Sequence, residues 1–252
     1  MTAWWTTLYD DLLADVLLER ADPAETARTV EFLRERLRLA PGARVLDQCC
    51  GTGSLAVPLA LLGFDVCAVD QAQAYVERGR QRAAQAGVAV EFHAADAFAF
   101  EARPRCDAAF NWWTSFGYAP DDATNARMLL RAAASLEPGG RFALDVPNLP
   151  GVLRSFRPSV ETRRALPEGE VTLLRESRFE VASAMMHKVW SYTLPGGRKV
   201  RHESQVKHYL PSQLADLLAA CGFCEVELLG DLSGRPIGLD SPRCIALARR
   251  AP

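Results

Sequence analysis

The sequence predicts an α/β fold built on a mostly parallel sheet, and three observations predict it. Short apolar runs alternate with helix-patterned segments from residue 44 to residue 146, as in strands joined by crossover helices. A glycine turn, Gly51-Thr52-Gly53, separates the first run from the first helix of that series. The alternation then stops at Val146, where Pro147, Pro150 and Pro158 open a stretch of different texture.

Taken in order, residues 7–20 (TLYDDLLADVLLER) carry apolar side chains at helical spacing. A second helix is expected over 24–38, with Asp22-Pro23 as its start, because proline fits the first turn where its missing N–H is not needed. Pro41-Gly42 breaks the chain before Val45-Leu46. Strands are expected at 44–47, 65–69, 88–93, 107–112 and 140–146, and helices at 54–62, 72–86 and 122–136, the last closed by Pro138-Gly139-Gly140. Beyond Val146, residues 171–181, 185–194 and 199–210 read as three β-rich segments, with Pro195-Gly196-Gly197 as a hairpin turn between the last two. A helix at 211–221 and strands at 223–230 and 243–249 follow. The expected division is an N-terminal helical cap over 1–40, a core made of 41–148 and 211–252, and an inserted β-rich layer over 149–210.

Bulk properties exclude several function classes. The formal charge of −2 over 252 residues lacks the basic excess of a nucleic-acid binder. No apolar run approaches the roughly 20 residues that span a bilayer. The first twenty residues carry acids rather than the basic stretch and long apolar core of a signal peptide, so a cytoplasmic location is expected. The seven cysteines are odd in number and scattered, which argues against a disulfide framework. Cys221 and Cys224 have CxxC spacing, but LADLLAA before them and Gly222 between them read as a helix end. No second CxxC or paired histidines would complete a tetrahedral site, so no metal is expected.

The chemistry begins at Val45-Leu46-Asp47-Gln48-Cys49-Cys50-Gly51-Thr52-Gly53. Glycines at a strand-to-helix turn let backbone approach a ligand closely, and the helix N-terminus offers unpaired N–H groups. Gly51 to Ala56 fits the GxGxxA form of the dinucleotide fingerprint, with Asp70 near the offset of a ribose-binding acid. That alone does not separate a nicotinamide enzyme from a methyltransferase. Asp47, four residues before Gly51, would repel a pyrophosphate but suits the ammonium of an amino-acid tail. Asp96, in HAADAF, follows the third strand and offers a carboxylate to an adenine amino group, with Ala97 and Phe98 against the ring. The final VELLGD and SPRCIALARR segments read as a terminal antiparallel pair rather than a second dinucleotide-binding half.

Over nearly its whole length the chain resembles the class I S-adenosylmethionine-dependent methyltransferases. The resemblance rests on VLDQCCGTGSLAVPLA, FDVCAVDQ, HAADAF, CDAAFNWWTSFGY and LEPGGRFALDVPN in that order. It is similar to the small-molecule subgroup, which includes glycine, sarcosine and amino-sugar N-methyltransferases. The resemblance implies a Rossmann-like, seven-stranded sheet of order 3-2-1-4-5-7-6 with the seventh strand antiparallel, and an inserted antiparallel β lid over the acceptor. It implies S-adenosyl-L-methionine as cofactor, with Asp47, Gly51 and Gly53 at the methionine end. Asp70 would meet the ribose, Gln71 the adenosine, Asp96 and Ala97 the adenine, and Asn111 and Trp112 the sulfonium. Tyr9 would cover the cofactor from the N-terminal segment. The fourth strand lacks the acidic or DPPY-type signature, which speaks against N-methylation of DNA bases or amides.

Aromatic faces attract a sulfonium, so Trp112, Trp113 and Phe116 are candidates for the cofactor and substrate wall, against the simpler reading of core aromatics. His202 and His208 are candidate general bases, as is His187, although a lone histidine on a strand more often serves structure. Trp190, Arg201 and Tyr209 are candidate substrate contacts in the inserted layer. The expected activity is methyl transfer to a nitrogen or oxygen of a small-molecule acceptor, with no nucleic-acid or membrane partner. Homodimerisation through the insertion is a competing use of that layer. The alternative functions are a non-catalytic S-adenosylmethionine-binding regulator and, less well supported, a nicotinamide oxidoreductase.

Overall fold

The computed structural model describes residues 4–18 and 23–252. Within the expected N-terminal helix, the chain forms two short helices, α1 (Trp5–Leu8) and α2 (Asp11–Leu13), and then a π-helical turn, Ala14–Leu18. Asp10 explains the break, since its side chain caps α2 by accepting from the Leu13 N–H. Residues 19 and 20 of that expected helix, and Asp22, lie outside the described residues. Helix α3 spans Pro23–Arg36, starting at the proline.

The core follows as β1 (Arg44–Gln48), α4 (Ala56–Leu61), β2 (Asp65–Asp70), α5 (Gln73–Ala86), β3 (Glu91–Ala94), β4 (Cys106–Asn111), α6 (Asp122–Ser135) and β5 (Leu136–Pro147). The chain then forms α7 (Leu149–Arg154), β6 (Ser159–Leu166), β7 (Gly169–Glu180), β8 (Met185–Thr193) and β9 (Lys199–Lys207). It returns to the core with α8 (Pro211–Ala220), β10 (Phe223–Leu229) and β11 (Arg243–Arg250).

The large sheet has seven strands in the order β3-β2-β1-β4-β5-β11-β10. That is the expected 3-2-1-4-5-7-6 arrangement, with β11 antiparallel to both β5 and β10. Alternation along the central strands fills both faces. Val45 packs with Leu33, Leu59 and Phe110 on one side, and Leu46 packs with Leu129, Phe142 and Leu144 on the other.

Some elements differ from expectation. Strand β3 begins only at Glu91, where its pairing with Cys67 of β2 starts, while Val88 and Val90 pack against the core ahead of it. Strand β5 begins at Leu136, which pairs with Cys106, so Pro138-Gly139-Gly140 lies within an irregular strand rather than closing the helix. The inserted layer holds four strands, not three, in the order β6-β7-β8-β9. Strand β6 escaped the sequence reading because it is an edge strand of half-exposed, polar residues (SVETRRAL) behind Pro158. At the CxxC, Cys221 ends α8 and Gly222 takes a φ of +86°, the helix end expected.

The N-terminal segment joins the two sheets. Leu8, Leu13 and Val16 bury against Val171, Leu173 and Tyr192 of the small sheet. Two of its backbone carbonyls bond to the core: the Trp5 carbonyl accepts from Gln71 Nε2 at 2.8 Å, and the Asp10 carbonyl accepts from the Tyr75 hydroxyl at 2.6 Å. Among the described residues no helix is long and apolar enough to cross a membrane.

Candidate active site

The turn between β1 and α4 runs through positive φ at Cys49 (+67°), Gly51 (+54°) and Gly53 (+76°). The last two values favour glycine because a side chain there would crowd its own backbone. The turn is tied to β2: the Gly51 N–H donates to Asp70 Oδ2 at 2.9 Å, and the Cys50 N–H to the Val69 carbonyl at 2.9 Å. Asp70 Oδ1 accepts from the Ala72 N–H, so one carboxylate shapes both the glycine turn and the entry to α5. Gly53 serves packing. A Cβ there would stand 2.9 Å from Phe92 Cζ. We expect Gly53→Ala to cost about 1–3 kcal/mol by overpacking, read as a lowered urea midpoint; an unchanged midpoint would show that Phe92 gives way.

A cavity of about 150 Å³ opens at the carboxyl ends of β1, β2 and β4, the usual ligand crevice of such a sheet. Of the residues singled out for the cofactor, Tyr9, Gly51, Asp70, Gln71, Asp96, Ala97 and Trp112 line it. Trp113, a candidate substrate contact, lines it too. Asp47 and Asn111 are buried just behind, at 3% and 0% exposure. Asn111 Nδ2 donates to Gln48 Oε1 at 3.2 Å, which holds the end of β4 to the end of β1.

The cavity is acidic and aromatic. Among the described residues its lining contains Asp70 and Asp96 but no lysine, arginine or histidine. Burial, followed by repulsion from Asp70, holds the Asp47 carboxyl well above the usual carboxylate range, and its Oδ2 has no hydrogen-bond partner. Burial raises Asp70 as well, against the pull of the backbone N–H groups of Ala72 and Gly51. Burial, then the neighbouring acids, pushes the Cys49 thiol up, so it is a neutral lining group rather than a nucleophile.

Aromatic side chains close the cavity. Tyr9 stacks on Tyr118 at 6.1 Å with the two hydroxyls hydrogen-bonded, and Trp5 lies 5.8 Å from Phe98. Tyr118, Tyr75, Met128 and Ser115 were not singled out in the sequence reading. Tyr118 had a signal, as it ends the CDAAFNWWTSFGY segment, whereas Met128 and Tyr75 reach the cavity from helices and show no local sign.

The structure places the other candidates elsewhere. Phe116 is buried in the core against Tyr209, at 5.6 Å, and the Tyr209 hydroxyl donates to Asp122 Oδ1 and accepts from Asn125 Nδ2. Trp190 lies on the N-terminal-segment side of the small sheet and donates through Nε1 to Ser204 Oγ at 2.8 Å. Arg201 is exposed and pairs with Glu203 at 2.7 Å. His202 Nε2 lies 3.1 Å from Asp10 Oδ2, without hydrogen-bond geometry. His208 is buried, and desolvation, followed by repulsion from Lys188 and Arg243, lowers its pKa to about 4. Neither histidine lines the cavity.

Residues 45–140 match the protein family described as a methyltransferase domain. That segment, from β1 into β5, resembles a methyltransferase domain. The matched segment covers the glycine turn, Asp70, Asp96 and the Asn111-Trp112 strand end. Relatives in sequence include an uncharacterized protein of Mycobacterium tuberculosis, 31% identical over 132 residues, 48% of this chain and 46% of that one. A ubiquinone biosynthesis O-methyltransferase of Xanthomonas euvesicatoria is 34% identical over 121 residues, 47% of this chain and 48% of its own. Each match thus spans about half of the curated relative's length.

Similarity in structure extends over nearly the whole chain. The CcbJ methyltransferase of Streptomyces caelestis superposes with a TM-score of 0.82 at 22% identity, covering 98% of this chain and 99% of that one. The sugar N-methyltransferase KedS8 of Streptoalloteichus gives a TM-score of 0.73 at 25% identity, covering 96% and 92%. The methyltransferase fold with its inserted antiparallel sheet is therefore shared, beyond the matched core.

Proposed function

We propose that the protein is an S-adenosylmethionine-dependent methyltransferase acting on a nitrogen or oxygen of a small-molecule acceptor. The observation that carries the reading is the cavity's charge: acids and aromatic faces, with no basic residue among the described residues of its lining. Such a wall attracts a ligand bearing an ammonium and a sulfonium, and repels the pyrophosphate of a nicotinamide cofactor. The buried, unpartnered Asp47 Oδ2 fits an ammonium, and Asp70 retains lone pairs toward the cavity beyond the two backbone bonds it accepts. In this reading Gly51 borders the methionine end, Gln71 and Ala97 the adenosine, and Asp96 the adenine edge, with Trp112 and Trp113 near the sulfur.

When bound, S-adenosylmethionine supplies a methyl carbon on a positively charged sulfur, an already good leaving group. The chain's own residues then align the partners and exclude water, and alignment of this kind contributes several kcal/mol. Trp5, Tyr9 and Tyr118 close the site. The lining holds no histidine, which favours an amine acceptor that presents its own lone pair over an alcohol that needs a base. The solved sugar N-methyltransferase of similar fold supports the same choice. We assign acceptor selection to the small sheet, since the methyltransferase core accounts for the cofactor alone.

The test is calorimetry with S-adenosylmethionine and its demethylated product. Both are expected to bind, with no competition from NADH; strong NADH competition would sink the reading. A proton signature follows from Asp47. Its pKa is raised in the free protein, and a bound ammonium lowers it again. Binding therefore releases protons and tightens as pH rises through the free-protein pKa of Asp47. A pH-dependent affinity in the parent, against a much weaker dependence in Asp47→Asn where the raised Asp70 still titrates, is the expected pair of results. Binding without turnover of any amine or phenol would instead mark a regulator.

A further inference from the structure

On the inner face of the small sheet, the register brings together side chains that the methyltransferase cavity does not use. Arg175 of β7 is opposite Trp190 of β8, Ser177 is opposite Lys188, and Lys188 is opposite Ser204 of β9. Alternation puts Lys188 and Trp190 on one face, two residues apart. The Arg175 guanidinium and the Lys188 ammonium each lie 5.7 Å from the centre of the same indole. The indole is itself fixed by its bond to Ser204.

Two cations therefore share one aromatic platform. Among the described residues neither has a carboxylate partner, and Arg175 Nε is buried without any hydrogen-bond partner. Burial, followed by Arg175, lowers the Lys188 pKa. Both effects oppose keeping two positive charges there, since buried charges usually come paired. His208 beside Lys188 stays neutral, with its pKa near 4, and so adds no third positive charge. A fold that only needed a platform would place apolar groups over Trp190.

A groove of about 490 Å³ meets this cluster at Lys188; Ser177, Ser204, Trp4 and the carboxylate-bearing Glu176 also line it, whereas Arg175 and Trp190 are not in its lining. Glu203 on its rim is held by Arg201. Trp4 connects the groove to the first cavity. Its ring packs at 5.6 Å on Trp5 and 4.9 Å on Tyr118, both of which line that cavity, and its Nε1 donates to the Tyr118 carbonyl.

We propose that Arg175 and Lys188, over Trp190, form the subsite for an anionic group of the acceptor, a phosphate or a carboxylate. Guanidinium and ammonium donors make charge-assisted bonds to either, and Ser177 and Ser204 add hydroxyl donors. The acceptor would reach past Trp4, with its reacting atom in the first cavity. This placement rests on the methyltransferase reading; the anion site itself does not.

The experiment measures binding of two probes, pyrophosphate and succinate, to the full chain at matched ionic strength, in the parent and in Lys188→Met and Arg175→Met. At least one probe is expected to bind the parent, and its affinity to fall tenfold or more in each variant. Affinity for the demethylated cofactor should stay within twofold. Preference for pyrophosphate assigns a phosphoanion, and preference for succinate a carboxylate. Lys188→Met should also raise the Tm of the ligand-free protein, because it removes an unpaired, desolvated charge. If Arg175→Met does not fold, Lys188→Met decides alone. A parent that binds neither probe, or variants that bind as the parent does, overturns the proposal. A parent that binds a probe but not the cofactor product sinks the methyltransferase reading and leaves the anion site standing.

Discussion

Asp70→Ala is expected to weaken binding of the demethylated cofactor by about 1–3 kcal/mol, the range for leaving buried hydrogen-bond donors unpaired, or roughly 5- to 150-fold. The structure gives the residue two tasks. Its carboxylate borders the cavity, and it holds the backbone N–H groups of Gly51 and Ala72, at 2.9 Å each. Asp70→Asn separates the two. The amide oxygen can still accept one backbone N–H, but the negative charge is gone and the NH₂ cannot accept. We expect Asn to recover much of the stability and little of the affinity. Calorimetry alongside urea denaturation measures both. Equal dissociation constants in the parent and Asp70→Ala, with the fold intact by circular dichroism, would remove Asp70 from the cofactor site.

Asp145→Ala is expected to lower folding stability by about 3 kcal/mol, the lower end for breaking a buried ion pair. The lower end applies because Asp145 is 3% exposed in its side chain but its partner Arg243 is 31% exposed. The carboxylate accepts from Arg243 Nε at 2.7 Å and from the Trp113 N–H at 3.1 Å. Trp113 and Thr114 both sit at positive φ, +58° and +72°. Such a conformation in bulky residues persists only when the surroundings enforce it. Here the Asp145 carbonyl accepts from the Thr114 N–H, and Arg243 donates to the Thr114 hydroxyl at 3.1 Å. Losing the carboxylate should therefore release the Trp112–Ser115 segment, which lines the cavity, and weaken cofactor binding beyond the loss of stability. Arg243→Met with Asp145→Asn, made together, should cost less than Asp145→Ala alone, because no charge is left unpaired. A double variant as destabilised as the single one would locate the effect elsewhere.

The sequence by itself determined the order of the core. Asp47, the glycine turn, Asp70 and Asp96 sit at strand ends that local patterning locates, because a period of two and a strand–turn–helix rhythm are properties of short windows. The seven-stranded order followed from the resemblance those segments carry, and the sheet has it. Closure of the cavity was only partly legible. Tyr9 was marked as its cover, but Tyr118 and Met128 arrive from segments more than a hundred residues away, and nothing near Met128 in sequence marks it.

What only the tertiary structure decided is which side chains of the inserted strands face each other. His202, Arg201, Trp190 and Tyr209 looked equivalent in the sequence. The structure puts Tyr209 in the core, Arg201 in solvent and Trp190 under two cations. Arg175 and Lys188 gave no signal, because they meet only through pairing across β7 and β8. A one-residue slip in that register would turn each strand's set to the opposite face. Register is fixed by the burial of Leu173 and Tyr192 against Leu8, Leu13 and Val16. Those contacts span more than 150 residues, and no local window of the chain contains them.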